Sequence, residues 1–165
     1  AALRMHSMYY HVMTDRHILP DPATEYGQAV HRRLREELVI WLTTVAPSGT
    51  PQPNPVWFLW QEDAGLEADP EWGDGSFLIY HESPSARLET LKKRPVVALN
   101  FHGYRTNEVT VFTGRVETVE GVPAPWEMPE YAAKYAGEIA RITAAADDDV
   151  LRCPECGAIL LRFRP

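Results

Sequence analysis

Residues 39–60 read VIWLTTVAPSGTPQPNPVWFLW. Two runs rich in β-branched and aromatic residues, Val39–Val45 and Gln52–Trp60, flank Ala46–Pro51, where Ser48-Gly49 marks the tip of a turn. The stretch predicts a β-hairpin. Pro53 and Pro55 have no N–H to give a ladder, so the return strand must begin at a sheet edge, at a bulge, or where backbone faces a ligand.

Further strands are expected on the C-terminal side at Ser76–His81, Pro95–Phe101, Glu108–Val119 (its alternation broken at Gly114) and Ala158–Arg164. On the N-terminal side, Asp21-Pro22 signals a helix start. Tyr26, Val30, Leu34 and Leu38 then recur every fourth residue, so a helix is predicted to about Leu38. Ser83-Pro84 opens a short helix that stops before Pro95, and Pro129 opens a longer one with Tyr131, Tyr135, Ile139 and Ile142 on its apolar side. Glu62–Gly75 reads as a mobile acidic loop and Asp147–Asp149 as a solvated acidic run. Six strands joined by short turns predict a mainly β (α+β) fold whose antiparallel sheet curls into a small barrel, with helices as covers. So small a barrel has little room for a large ligand inside, which directs a ligand to its outer surface or between subunits.

The 165 residues suit one domain, and 45% hydrophobic residues suffice for a core. The net charge of −7 and the pI near 5.3 argue against a nucleic-acid partner. No apolar stretch approaches the ~20 residues that span a bilayer, and no secretory h-region is evident, so a cytoplasmic protein is expected. Residues 1–18 are set aside as an N-terminal extension of the kind an expression tag leaves. Residues 19–165 are taken as one domain.

The segment richest in chemistry is Tyr80–Leu91, YHESPSARLETL: a strand end, polar residues, then a helix opened by a proline. Helix N-termini gather free N–H groups and partial positive charge, and so bind anions. Ser83 and Ser85 offer hydroxyls, and Arg87 offers a planar fork suited to a phosphate. The plain alternative is that Ser83 only caps the helix and Arg87 is solvated.

These residues resemble the pyridoxamine phosphate oxidase superfamily of split β-barrel flavoenzymes, which carry an aromatic strand end, a serine, basic residues and a leucine-containing helix ending before a proline. Here those are Tyr80, Ser85, Arg87, Leu88, Leu91 and Pro95. Trp41–Thr44, Ser48-Gly49 and Pro53–Phe58 resemble the first hairpin of the branch that uses the deazaflavin coenzyme F420, and Gly114–Glu117 with the Tyr131–Ile142 helix is similar to the same branch. The resemblance runs from about Leu19 to Arg164. It implies a six-stranded antiparallel split β-barrel of the FMN-binding kind. It also implies a homodimer with the cofactor cleft between subunits, and hydride transfer between reduced F420 and an unsaturated small-molecule substrate. Asn54, Pro55, Val56 and Trp57 would line the ring; Tyr80, His81, Ser83, Ser85, Ala86 and Arg87 would meet the ring edge and phosphate. For Trp57 the alternative is plain core packing.

The chain departs from that pattern in three places. Ala86-Arg87 stands where the oxidases carry Arg-Lys, and their C-terminal Arg-x-His clamp is absent, which argues against vitamin B6 oxidation. The deazaflavin branch has Lys where Arg87 stands. Cys153-Pro154-Glu155-Cys156-Gly157 has a zinc-knuckle shape but supplies only two of the four ligands a closed site needs, so no metal site is assigned. Two other readings stay open: an FMN flavoprotein of the same fold, and a non-enzymatic cofactor- or metal-binding protein.

Overall fold

The computed structural model describes residues 19–62, 75–81, 86–103, 109–119, 123, 125–145 and 159–164, with backbone alone for residues 81, 118–119, 142–145 and 159–164. Helix α1 (Glu25–Glu36) leads into seven strands: β1 (Val39–Val45), β2 (Pro51–Trp57), β3 (Leu59–Glu62), β4 (Gly75–His81), β5 (Val96–Asn100), β6 (Val111–Val119) and β7 (Ile159–Arg164). Helix α2 (Ala86–Lys93) lies between β4 and β5; a 3-10 turn (Pro125–Glu127) and helix α3 (Pro129–Ala145) lie between β6 and β7. All pairings are antiparallel, in the order β2-β1-β5-β6-β7-β4-β3.

The two edges of this sheet, β2 and β3, are successive in the chain and separated only by Phe58. One residue cannot bridge opposite edges of a flat seven-stranded sheet, so the sheet curls until its edges meet at Phe58. The edges are not hydrogen-bonded to each other, and the curl is a split barrel without closure. Six strands were expected, because Gln52–Trp60 reads as one return strand; the seventh arises from the break at Phe58. There the backbone N–H donates to the Tyr135 hydroxyl at 2.7 Å, and that hydroxyl lies 2.7 Å from the Phe58 carbonyl oxygen and 2.8 Å from that of Leu38. The groups Phe58 withdraws from the ladder are thus satisfied by one buried side chain on α3.

Alternation along the strands sends Ile40, Leu42, Phe77, Ile79, Leu99, Phe112 and Val116 inward, and Phe58 joins them from the break between β2 and β3. Phe77 packs on Phe58, Trp60 and Phe112 with ring centroids 5.0–5.8 Å apart. Val30 and Leu34 of α1, and Leu88 and Leu91 of α2, join this cluster. Outside the barrel a second cluster (Leu59, Leu78, Tyr131 and Tyr135) seats α3 on β3 and β4.

The start of α1 differs from the expected one. Asp21 spends its carboxylate on the Ala23 N–H, 2.8 Å away, closing a turn, and Thr24 caps the helix by accepting from the Gly27 N–H at 3.0 Å. Gly27 is required because a Cβ there would strike the Asp21 backbone. The helix ends at Glu36 and not at Leu38, since Glu37 is already extended. Arg33, buried, donates to Glu37 and to the His102 carbonyl (2.7 Å) and lies 4.6 Å from the centroid of the Phe101 ring. It thereby ties α1 to the end of β5. Among the described residues no helix is long and apolar enough to cross a membrane.

Lys134 of α3 reaches back to α1. Its ammonium donates to the Leu34 carbonyl at 3.2 Å and sits 3.7 Å from the centroid of the Phe58 ring. Burial pulls its pKa down to about 8, against a smaller upward pull from Glu37. A folded-state pKa below the unfolded 10.5 means that the unfolded chain binds more protons between those values. Stability contributed by this group therefore rises with pH from about 8 to 10.5. Lys134→Met is expected to flatten urea-denaturation midpoints across that window; a slope as steep as that of the native chain would place the titration elsewhere.

Candidate functional site

The β4–α2 connection carries the first group of expected site residues. Tyr80 and His81 end β4, and Ala86 and Arg87 open α2; Ser83 and Ser85 lie outside the described residues. Leu88 and Leu91, both buried, seat α2 on the barrel, leaving Ala86 exposed and Arg87 half-buried. The first-turn N–H groups have no intrahelical acceptors and bring partial positive charge to the Arg87 end. Among the described residues no carboxylate pairs with Arg87. Burial lowers its guanidinium pKa. A partly desolvated cation without a described counter-ion, at the positive end of a helix, is a place where an anion is stabilised.

The opposite end of α2 is tied to the hairpin. Arg94 donates from Nη1 to the Ala46 carbonyl (2.8 Å) and from Nη2 to that of Pro47 (3.1 Å), in the turn where Gly49 takes a φ of +86°. The two sequence segments singled out above are therefore joined through Arg94, a link carried by an exposed arginine with no motif around it.

The second group lies on β2, an edge strand paired only with β1. Val56 lies opposite Ile40, and its side chain packs on the barrel interior. Asn54, opposite buried Leu42, is half-buried and donates to the Gln52 carbonyl at 3.2 Å. Pro55 and Trp57 alternate to the outer face; Pro55 is exposed, and Trp57 stacks on Tyr135 with centroids 4.4 Å apart and planes within 9°. Tyr135 meets Tyr131 at 4.6 Å, and Tyr131 meets Tyr80 edge-on at 4.8 Å. Trp57 and Tyr80, distant in sequence, thus fall in one aromatic cluster on the outer face, under α3.

The Tyr80 hydroxyl donates to the Pro123 carbonyl (3.0 Å) and lies 3.8 Å from the Met128 sulfur, which holds the start of α3 against the end of β4. Burial raises the pKa values of Tyr80, Tyr131 and Tyr135, so all three keep their protons at neutral pH. Tyr131 and Tyr135 read in the sequence only as apolar helix positions; their i, i+4 spacing put them on one face but said nothing of the hydroxyls. Among the described residues, Arg87 makes no hydrogen bond or ring contact with Asn54, Trp57 or Tyr80. No group of three or more His, Cys, Asp or Glu side chains among the described residues could hold a metal, and Cys153 and Cys156 fall outside them.

A family model described as pyridoxamine 5'-phosphate oxidase matches residues 27–153. Two uncharacterized proteins from Mycobacterium tuberculosis strains are 77% identical over 27 residues, covering 16% of this chain and only 11% of each relative. Among solved structures, a protein of unknown function from Agrobacterium tumefaciens aligns with a TM-score of 0.54 at 17% identity, over 91% of this chain and 58% of that one. A conserved hypothetical protein from Mycobacterium tuberculosis aligns at 0.53 and 15% identity, over 92% and 84%. The heme storage protein HutZ from Vibrio cholerae aligns at 0.50 and 14% identity, over 86% and 91%. At such identities the likeness is one of fold.

Proposed function

The chain belongs to the pyridoxamine 5'-phosphate oxidase family, and from that premise we propose that it is an oxidoreductase using the deazaflavin F420 to act on an unsaturated small molecule. FMN is the alternative cofactor. The observation that carries this reading is Arg87: half-buried, without a described counter-ion, in the first turn of α2 at the positive end of the helix dipole. That donor set fits a phosphate. Ser83, Ser85 and Ala86 would complete the phosphate cradle, and His81 would lie at the ring edge. On β2, Pro55 and Trp57 would border the ring, with Tyr80 at the far side of the aromatic cluster, and Asn54, on the strand's other face, would meet it at the sheet edge. Val56 supports that strand from inside.

Bound there, the cofactor supplies hydride transfer. The protein positions the ring, holds the phosphate and keeps water from the aromatic side. Burial raises the pKa values of Tyr80, Tyr131 and Tyr135 and so makes them poor proton donors, and solvent would deliver the proton.

Fluorescence titration of the whole chain with F420, and separately with FMN, tests the assignment. Tight binding of F420 alone supports it, FMN alone moves the protein to the flavoprotein reading, and binding of neither removes both. Arg87→Ala is expected to weaken cofactor binding by more than ~1 kcal/mol, at least about fivefold in Kd, through loss of a charge-assisted contact. An unchanged Kd in a folded variant removes Arg87 from the site.

We also propose that two copies bury the outer face of β2, β1, β5 and β6. A sheet face meant for water alternates to polar residues. Here the outward positions mix the apolar Val39, Trp41, Pro55, Val96, Ala98 and Val111 with Thr43, Asn100, Thr113 and Arg115, and Val96 and Val111 are each 55% exposed. No described helix covers them.

A further inference from the structure

We infer that Tyr135 is a positioning residue for the ring-facing strand: its hydroxyl fixes where β2 ends, and its ring fixes the plane of Trp57. This rests on the assignment of β2 as the strand beside the cofactor. Three contacts converge on one buried oxygen. It accepts from the Phe58 N–H at 2.7 Å and has the carbonyls of Phe58 (2.7 Å) and Leu38 (2.8 Å) within donating distance, so its single proton is shared between them. Leu38 joins α1 to β1 and Phe58 joins β2 to β3, so the oxygen spans both points where the chain enters or leaves the hairpin.

The ring does a second job. It stacks on Trp57, 4.4 Å away and 9° from parallel, one residue before the break. The neighbouring Lys134 holds the Phe58 ring from the same helix. Trp57 is thereby gripped on both sides of its peptide, by the stacked ring and by the fixed Phe58 backbone. A phenylalanine at position 135 keeps the stack but leaves a buried N–H and two carbonyls short of a partner. The simplest relief is for Phe58 to slide toward a neighbouring strand, which rotates Trp57 off its plane.

Tyr135→Phe in the whole chain is the test, with Tyr131→Phe as control, since Tyr131 lies one turn away on the same helix. Two signals are read: the near-ultraviolet circular dichroism of Trp57, isolated by subtracting Trp57→Phe, and the Kd for F420 and FMN. Tyr135→Phe is expected to change the Trp57 signal and to raise Kd about tenfold, the effect of one unmet buried hydrogen bond passed to the site. Tyr131→Phe should leave both within about twofold. A native Trp57 signal and Kd in Tyr135→Phe overturn the inference. If the native chain binds neither cofactor, the functional assignment fails, while a lost Trp57 signal in Tyr135→Phe still supports positioning. Should the variant not fold, hydrogen exchange of the native chain decides. The Phe58 amide, outside both ladders, should exchange as slowly as the core amides, and fast exchange overturns the inference.

Discussion

Phe77→Ala is expected to lower the free energy of unfolding by about 3–5 kcal/mol, the range for deleting a fully buried aromatic side chain. Phe77 has no exposed surface, and its ring meets Phe58, Trp60 and Phe112 at once. Trp60 belongs to β3, Phe112 to β6, and Phe58 to the pinned break between β2 and β3, so none can move into the gap without dragging a ladder or breaking that pin. Urea denaturation should show a lower midpoint at an unchanged slope. Phe77→Leu keeps most of the volume and should lose much less. The result bears on function as well as stability. A loss under about 1.5 kcal/mol would mean that the barrel interior collapses easily or already has slack. Either would reopen the interior as a place for a ligand, whereas the expected loss confines ligands to the outer surface.

The strand segments were legible because their β-branched and aromatic runs are bounded by turn residues. The hairpin at Ala46–Pro51 formed where Ser48-Gly49 announced it, with Gly49 at positive φ. The break at Phe58 was not legible. Val56–Trp60 is an unbroken apolar run without glycine or proline, and the group that interrupts it comes from Tyr135, 77 residues away. Local pattern cannot report a hydrogen bond of that range. The start of α1 was misread for a different reason: Asp21 and Thr24 are both good caps, and only the geometry shows that Asp21 is spent on Ala23. In the candidate site, alternation puts Val56 and Trp57 on opposite faces but does not say which face is the interior. That choice needed the packing of Val56 on the core and of Trp57 on α3. Arg87 was legible as a charge at a helix start; its lack of a described counter-ion was not.

Val111→Glu carries the largest expected effect on assembly. Val111 lies on the outer face of β6, opposite Asn100, and is 55% exposed in the single chain. In an isolated subunit a carboxylate there is solvated, so unfolding stability should change by no more than about 0.5 kcal/mol. In a dimer that buries this face, each copy brings one unpaired carboxylate to an apolar surface, and desolvating them costs several kcal/mol. The dimer Kd should then rise more than ~100-fold. Sedimentation at graded concentrations reads this directly; a dimer as tight as the native one would mean that this face is not the interface. Cofactor titration of the same variant separates two arrangements. If the cleft lies between subunits, cofactor affinity falls as the dimer dissociates and recovers at concentrations that restore it. If the monomer binds as well as the native protein, the site belongs to one chain, and Arg87, Trp57 and Tyr80 must close it without a partner.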